Sequence, residues 1–133
     1  MRKITAELLE KELTVKKFKN WLVKNHNKKV MRFPNNYLQI EKALYRRENC
    51  PISQYIKDKF NIKHEDRCRI STSGGCIYIV DMKSNLLDVD FNTPTWIRKF
   101  IVEFDKQTVN QSTARGSTAL RCLEKSQEIR NSL

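Results

Sequence analysis

Hydrophobic positions near the start of the chain recur every three or four residues, which predicts helical structure over residues 5–25. Thr14 stands where a helix N-cap is expected, and Leu13 and Phe18 flank it as the two members of a hydrophobic staple. Residues 5–11 can therefore form a separate short helical turn before the longer helix. The pattern leaves one apolar face for burial and an opposite face rich in lysine.

The next segments give weaker patterns until a proline marks another helix. Residues 28–33 favour a short strand, and residues 38–45 favour either a short helix or an irregular covering segment. Pro51 fits the first position of a helix, because its missing N–H would be unpaired there anyway. We expect that helix to extend to about Asn61, with Cys50 as its N-cap.

Alternating apolar and polar residues then predict a β-hairpin. Residues 67–72 and 76–81 alternate on either side of the Gly74-Gly75 pair, and a third short strand is expected at residues 86–91. One face of the first strand carries three polar side chains, Arg67, Arg69 and Ser71.

The most regular helical pattern follows Thr93 and Pro94, which we interpret as the N-cap and the first helical residue. Its apolar residues keep helical spacing and are expected to form the centre of the core. They are Trp96, Ile97, Phe100, Ile101 and Phe104.

Together these elements predict a single α+β domain covering residues 1–133, with a short antiparallel sheet packed against about four helices. It divides into a basic helical part at 1–33, a core at 34–106, a polar linker at 107–116 and a C-terminal helix at 117–130.

The composition is strongly basic, and its hydrophobic fraction is sufficient for a compact core but lower than in most globular proteins. Lys and Arg number 26 and Asp and Glu 15, which gives a formal net charge of +11, and 39% of the residues are hydrophobic. No apolar run exceeds five residues and no signal-peptide pattern is present, so we expect a cytoplasmic protein without a membrane partner.

The cysteines do not show the close spacing of a zinc site. Cysteine pairs in such sites usually have two to four residues between them, and here the nearest pair flanks the hairpin turn. A mixed site that includes His64 stays open as an alternative. We interpret the four residues as reduced thiols and expect neither metal nor cofactor. They are Cys50, Cys68, Cys76 and Cys122.

Three further segments resemble a group of small, functionally uncharacterised proteins from bacteria and their phages. They are residues 50–56, 93–101 and 118–123, with the sequences CPISQYI, TPTWIRKFI and TALRCL. The group shares a Cys-Pro-aliphatic helix start, a Pro-x-Trp-x-x-x-Phe helix and an Ala-Leu-x-x-Leu helix. This chain departs from it at Ile97, where a small residue is usual, and in its longer, more basic front end. The resemblance implies a shared fold and a phage or mobile-element setting, and brings no activity.

The basic residues are concentrated near the front of the chain. Residues 16–32 contain seven basic side chains and no acidic one. A localised positive field attracts polyanions, and the nearby aromatic residues Trp21, Phe33 and Tyr37 are candidates for stacking on unpaired bases. The main candidate binding residues are Lys16, Lys17, Lys24, Lys28, Lys29, Arg32, Arg46 and Arg47. The secondary candidates are Arg67, Arg69 and Arg115.

Three functional classes fit these features. The leading hypothesis is a non-catalytic protein that contacts nucleic acid through an electropositive patch. The alternative is an inhibitor or adaptor that docks on an acidic surface of a nucleic-acid-handling host or defence enzyme, since the same field would steer it there. The third is a Mg²⁺-dependent nuclease using Asp88 and Asp90, although acidic residues at strand edges are more often simply solvated.

One loop also carries the elements of an anion-binding turn. Residues 112–118 combine hydroxyl groups with Arg115 and Gly116 ahead of a predicted helix. The loop lacks the full pattern of a phosphate-binding loop, so a capped polar linker is the preferred interpretation.

Overall fold

The computed structural model of the protein describes residues 4–33, 39–63, 66, 68–82 and 86–131. Within them the chain forms six helices and five strands. In order these are α1 (Ala6–Glu12), α2 (Val15–Lys24), β1 (Lys29–Arg32), α3 (Gln39–Asn49), α4 (Pro51–Lys59), β2 (Cys68–Thr72), β3 (Cys76–Asp81), β4 (Leu86–Asn92), α5 (Thr95–Gln107), β5 (Thr113–Arg115) and α6 (Gly116–Asn131). None of the helices in these ranges combines the length and apolar character needed to cross a bilayer. The α+β class is confirmed, with six helices rather than about four.

The strands form two small antiparallel sheets rather than one. β2, β3 and β4 lie side by side in that order, which confirms the hairpin predicted around Gly74-Gly75. Ile70 pairs with Ile79, which pairs in turn with Val89, and all three are buried, so one face of this sheet belongs to the core. β1 and β5 form the second sheet, which joins the front of the chain to its last third.

The first helical region is divided as the sequence predicts. The hydroxyl of Thr5 accepts a hydrogen bond from the Leu8 N–H, and that of Thr14 accepts one from the Lys17 N–H, so each threonine caps its own helix. Phe18, on the apolar side of α2, is fully buried.

α4 begins at Pro51, as predicted, and ends in a left-handed turn. Asn61 has a φ of 54°, the Ile62 N–H donates to the Lys57 carbonyl at 2.8 Å, and the Asn61 N–H donates to the Asp58 carbonyl at 3.2 Å. This double hydrogen bond is a Schellman ending, in which asparagine tolerates the left-handed backbone better than most residues. The turn directs the chain away from α4 towards β2.

The start of α5 lies one residue later than the sequence suggests. Pro94, not Thr93, is the N-cap residue, and α5 begins at Thr95. The Thr93 hydroxyl instead donates to the Ser73 carbonyl at 2.8 Å. The expected threonine cap is therefore wrong: α5 begins one residue too late for Thr93 to cap it, no side chain among the described residues caps its first turn, and the Thr93 hydroxyl acts as a donor to the hairpin turn.

The predicted polar linker at 107–116 contains a strand. α5 ends at Gln107, and the three residues of β5 pair with β1, with Lys29 opposite Arg115 and Arg32 opposite Thr113. Three residues are too few to show a period of two, so the sequence alone does not reveal this strand.

An aromatic cluster holds α2, α4 and α5 together. The ring of Phe18 lies 5.5 Å from that of Tyr55 and 5.2 Å from that of Phe100, both edge to face, and Phe100 stacks on Phe104 at 5.5 Å. Such pairs contribute about 0.5–1.5 kcal/mol each beyond their buried area. The cluster fixes the apolar side of α2 inward and thereby turns its lysines to solvent.

Candidate nucleic-acid interface

The solvent side of α2 presents a line of polar residues. Lys16, Asn20 and Lys24 follow one another at four-residue spacing and are exposed, on the side opposite Phe18 and Leu22, which are fully buried. The two lysines therefore project from one surface, as the sequence predicts.

Lys17 lies at the edge of this surface and has local partners. Its ammonium group donates to the Lys11 carbonyl at 3.1 Å and lies 3.7 Å from a Glu12 carboxylate oxygen. The other oxygen of Glu12 lies 3.7 Å from the Lys59 ammonium group and has no hydrogen-bond partner in the described part of the chain. Lys17 thus helps to neutralise a partly buried carboxylate.

The turn between α2 and β1 carries the basic surface onward and is fixed by the start of α6. The Gly116 N–H donates to the Lys28 carbonyl and the Ser117 N–H to the His26 carbonyl, each at 2.9 Å. The Arg115 guanidinium also donates to the Asn27 carbonyl. The side chains of Lys28 and Lys29 are exposed, and the backbone of the turn that carries them is fixed by hydrogen bonds from Gly116 and Ser117.

These same bonds argue against an anion site at residues 112–118. An anion at a helix N-terminus needs free backbone N–H groups. Here the N–H groups of Gly116 and Ser117 are already donated to carbonyls of the basic turn, and the segment serves to position that turn instead.

Most cations of the 16–32 segment have no acidic partner among the residues that the structure describes. In the ranges that the structure describes, no carboxylate oxygen lies within 4.0 Å of their charged groups, Lys17 excepted. All of them are exposed. We call these residues the basic face, within which Lys19 lies nearer the apolar side of α2 and is the weaker candidate: Lys16, Lys19, Lys24, Lys28, Lys29 and Arg32.

A cavity of about 360 Å³ lies where the basic face meets α4. Lys28 and Lys29 line one side, and Gln54, Lys57 and Asn61 line the other. The Lys57 ammonium group donates to the Glu48 carbonyl at 2.9 Å, and burial lowers its pKa, an effect that the nearby Glu48 opposes. The sequence gives no sign of this cavity, because its two sides are far apart along the chain.

Arg46 faces inward and is removed from the candidate binding residues. Its guanidinium donates to the Thr108 carbonyl and hydroxyl and to the Gln111 carbonyl, and lies 3.0 Å from an Asp105 oxygen. Only 15% of its side chain is exposed. Arg46 therefore holds the turn after α5, whereas its neighbour Arg47 is exposed.

The secondary candidates are dispersed. Arg69 and Ser71 share the outer face of β2, as predicted, but the Arg69 guanidinium lies 2.5 Å from a Glu48 oxygen. Arg115 is exposed and adjoins the basic face through its bond to Asn27. Arg67 lies outside the described residues.

The aromatic candidates are only partly available for stacking. Trp21 is half-buried, its ring stacks on Phe18 at 6.0 Å, and its indole N–H donates to an Asp58 carboxylate oxygen at 2.7 Å. It still lines the cavity beside α4. Phe33 is buried and beneath Arg46, and Tyr37 lies outside the described residues.

The candidate metal ligands do not converge. Among the described residues, no three His, Cys, Asp or Glu side chains are grouped to hold a metal ion, and no disulfide joins the four cysteines. Asp90 is exposed opposite Tyr78 on the outer face of the sheet. The side chain of Asp88 and all of His64 lie outside the described part. Burial raises the pKa of the Cys50 thiol, so this residue fits a packed cap better than a nucleophile.

Comparisons with models of known families, with curated proteins and with solved structures found no match to this chain. The functional interpretation therefore depends on the arrangement of its own residues.

Proposed function

We propose that this protein is a non-catalytic binding protein that contacts nucleic acid through the basic face. The observation that supports it is the absence of acidic partners around Lys16, Lys24 and Lys28 among the described residues. Exposed cations without internal partners keep their full charge for an external polyanion.

The proposal predicts a strong dependence on salt. Each phosphate contact releases counterions from the nucleic acid, so the logarithm of the affinity falls linearly with the logarithm of salt concentration. If all six cations of the basic face contact phosphates, the affinity falls by about a thousandfold between about 50 and 200 mM salt. Fluorescence anisotropy with labelled random-sequence DNA and RNA measures that slope.

Charge reversal tests the surface itself. The double variant Lys16→Glu and Lys24→Glu is expected to weaken binding by at least about tenfold, because it replaces two attractive contacts with repulsive ones. Lys17 is left unchanged, since Lys17→Glu would bring a second carboxylate to Glu12 and disturb the fold.

A matched control makes the same change in net charge at two lysines outside the basic face. Lys99→Glu and Lys106→Glu alter two cations of α5, outside the basic face, and circular dichroism verifies that both double variants are folded. Equal losses of affinity in the two variants would mean that net charge, not this surface, governs binding. If neither DNA nor RNA binds while a host protein is captured stably, the acidic-protein alternative replaces this proposal.

A further inference from the structure

The cavity beside the basic face adjoins a second, larger one. The second cavity has a volume of about 770 Å³ and is lined by Tyr45, Lys63 and Arg69, among others. Both cavities are lined by Gln54, Lys57 and Ile62. They therefore meet at these residues, and we call the two cavities together the groove.

The groove is basic along its length. Two acidic side chains line it, and each has a partner: Asp58 accepts a bond from Trp21, and Glu48 pairs with Arg69. The five basic side chains that line it are Lys28, Lys29, Lys57, Lys63 and Arg69. The field of the basic face thus continues into a concave surface.

Carboxamide side chains line the first cavity, and that of Gln54 also lines the second, where it donates to the Asn49 side-chain oxygen at 3.3 Å. Gln54 and Asn61 stand seven residues apart on one side of α4 and its final turn, with Lys57 between them. Amide side chains can donate to and accept from the edges of bases.

From this arrangement we propose that the nucleic acid is an unpaired strand that follows the groove over α4; the inference rests on the function proposed above. The Watson–Crick edges of unpaired bases can reach the carboxamides of Gln54 and Asn61, whereas in a duplex those edges are already paired. A duplex has a convex outer surface, so it contacts the exposed Lys28 and Lys29 without entering the groove as far as Gln54.

The test compares strands and variants in one assay. Labelled oligothymidylate of about 12 nucleotides is expected to bind at least about tenfold more tightly than a duplex of the same length. Gln54→Glu is nearly isosteric and places a carboxylate where the two cavities meet, and Lys63→Glu alters the far cavity without changing the basic face. Each is expected to weaken binding of the single strand about fivefold or more and to leave duplex binding unchanged.

The outcomes separate the groove from the basic face. If duplex binds as tightly as the single strand, or if both groove variants bind like the parent protein while Lys16→Glu with Lys24→Glu weakens binding, the groove is not the strand site and the proposed function stands. If the parent protein binds neither nucleic acid, the proposed function fails and the groove inference fails with it. Weaker single-strand binding in both folded groove variants supports the inference.

Discussion

Replacing Gly116 by alanine should loosen the attachment of the basic turn. A Cβ atom at this position would lie 2.7 Å from the carbonyl carbon of Asn25 and closer still to its oxygen, whereas carbon atoms in contact normally keep about 3.5–4.0 Å. The neighbouring atoms are backbone, so they cannot turn aside as a side chain would. The turn or the start of α6 must move by about 1 Å.

The cost follows from that movement. Overpacking of this kind typically destabilises a fold by about 1–3 kcal/mol, and the lower entropy of the unfolded alanine chain returns less than about 1 kcal/mol. The movement also strains the 2.9 Å hydrogen bonds from Gly116 and Ser117 to the turn. We expect the free energy of unfolding to fall by about 1–2 kcal/mol, measured by urea denaturation.

Gly74→Ala is the matched control. No heavy atom lies within 4 Å of a Cβ at Gly74, and its φ is not in the left-handed region. This variant should be as stable as the parent or slightly more stable. If Gly116→Ala unfolds at the same urea concentration as Gly74→Ala, the turn is not seated on α6 and the support inferred for Lys28 is refuted.

Two further predictions concern internal contacts. Arg46→Met should lower the free energy of unfolding by about 2 kcal/mol, because it removes the ion pair to Asp105 and the bonds to the turn after α5. The control Arg47→Met changes an exposed neighbour and should have little effect. Equal stabilities of the two variants in thermal melts would contradict the inward position of Arg46. Burial, aided by the nearby Glu12, raises the pKa of Tyr55 from 10.0 to about 12. Since the fold favours the neutral phenol, stability should hold below about pH 10 and decline by roughly 2–3 kcal/mol as the pH rises to 12, and a decline that persists unchanged in Tyr55→Phe would assign it to another group.

Local signals allowed much of the fold to be predicted. Thr14, Pro51 and the Gly74-Gly75 pair each act on neighbouring residues, through a cap, a fixed backbone angle and a tight turn. The structure places helix or strand boundaries at all three. Thr93 shows the limit of this reasoning, because its hydroxyl donates to Ser73, a residue 20 positions away.

The candidate site divides in the same manner. The charge of the 16–32 segment is evident from the sequence, and so is the helical spacing of Lys16 and Lys24. Whether a cation is free depends on contacts with residues far away in the sequence, so the sequence alone does not distinguish Arg46, which bonds Thr108 and Asp105, from Arg47. The groove over α4 could not be predicted either, because the residues that line it come from separate segments of the chain.

The bond from Arg115 to Asn27 spans 88 positions along the chain. A synthetic peptide covering residues 16–32 would have the same charge as this segment but not its conformation, because Arg115, which bonds the loop at Asn27, lies in the last third of the chain. A ligand bound at this loop would depend on contacts between the front and the last third of the chain, so its binding should be lost when the domain unfolds.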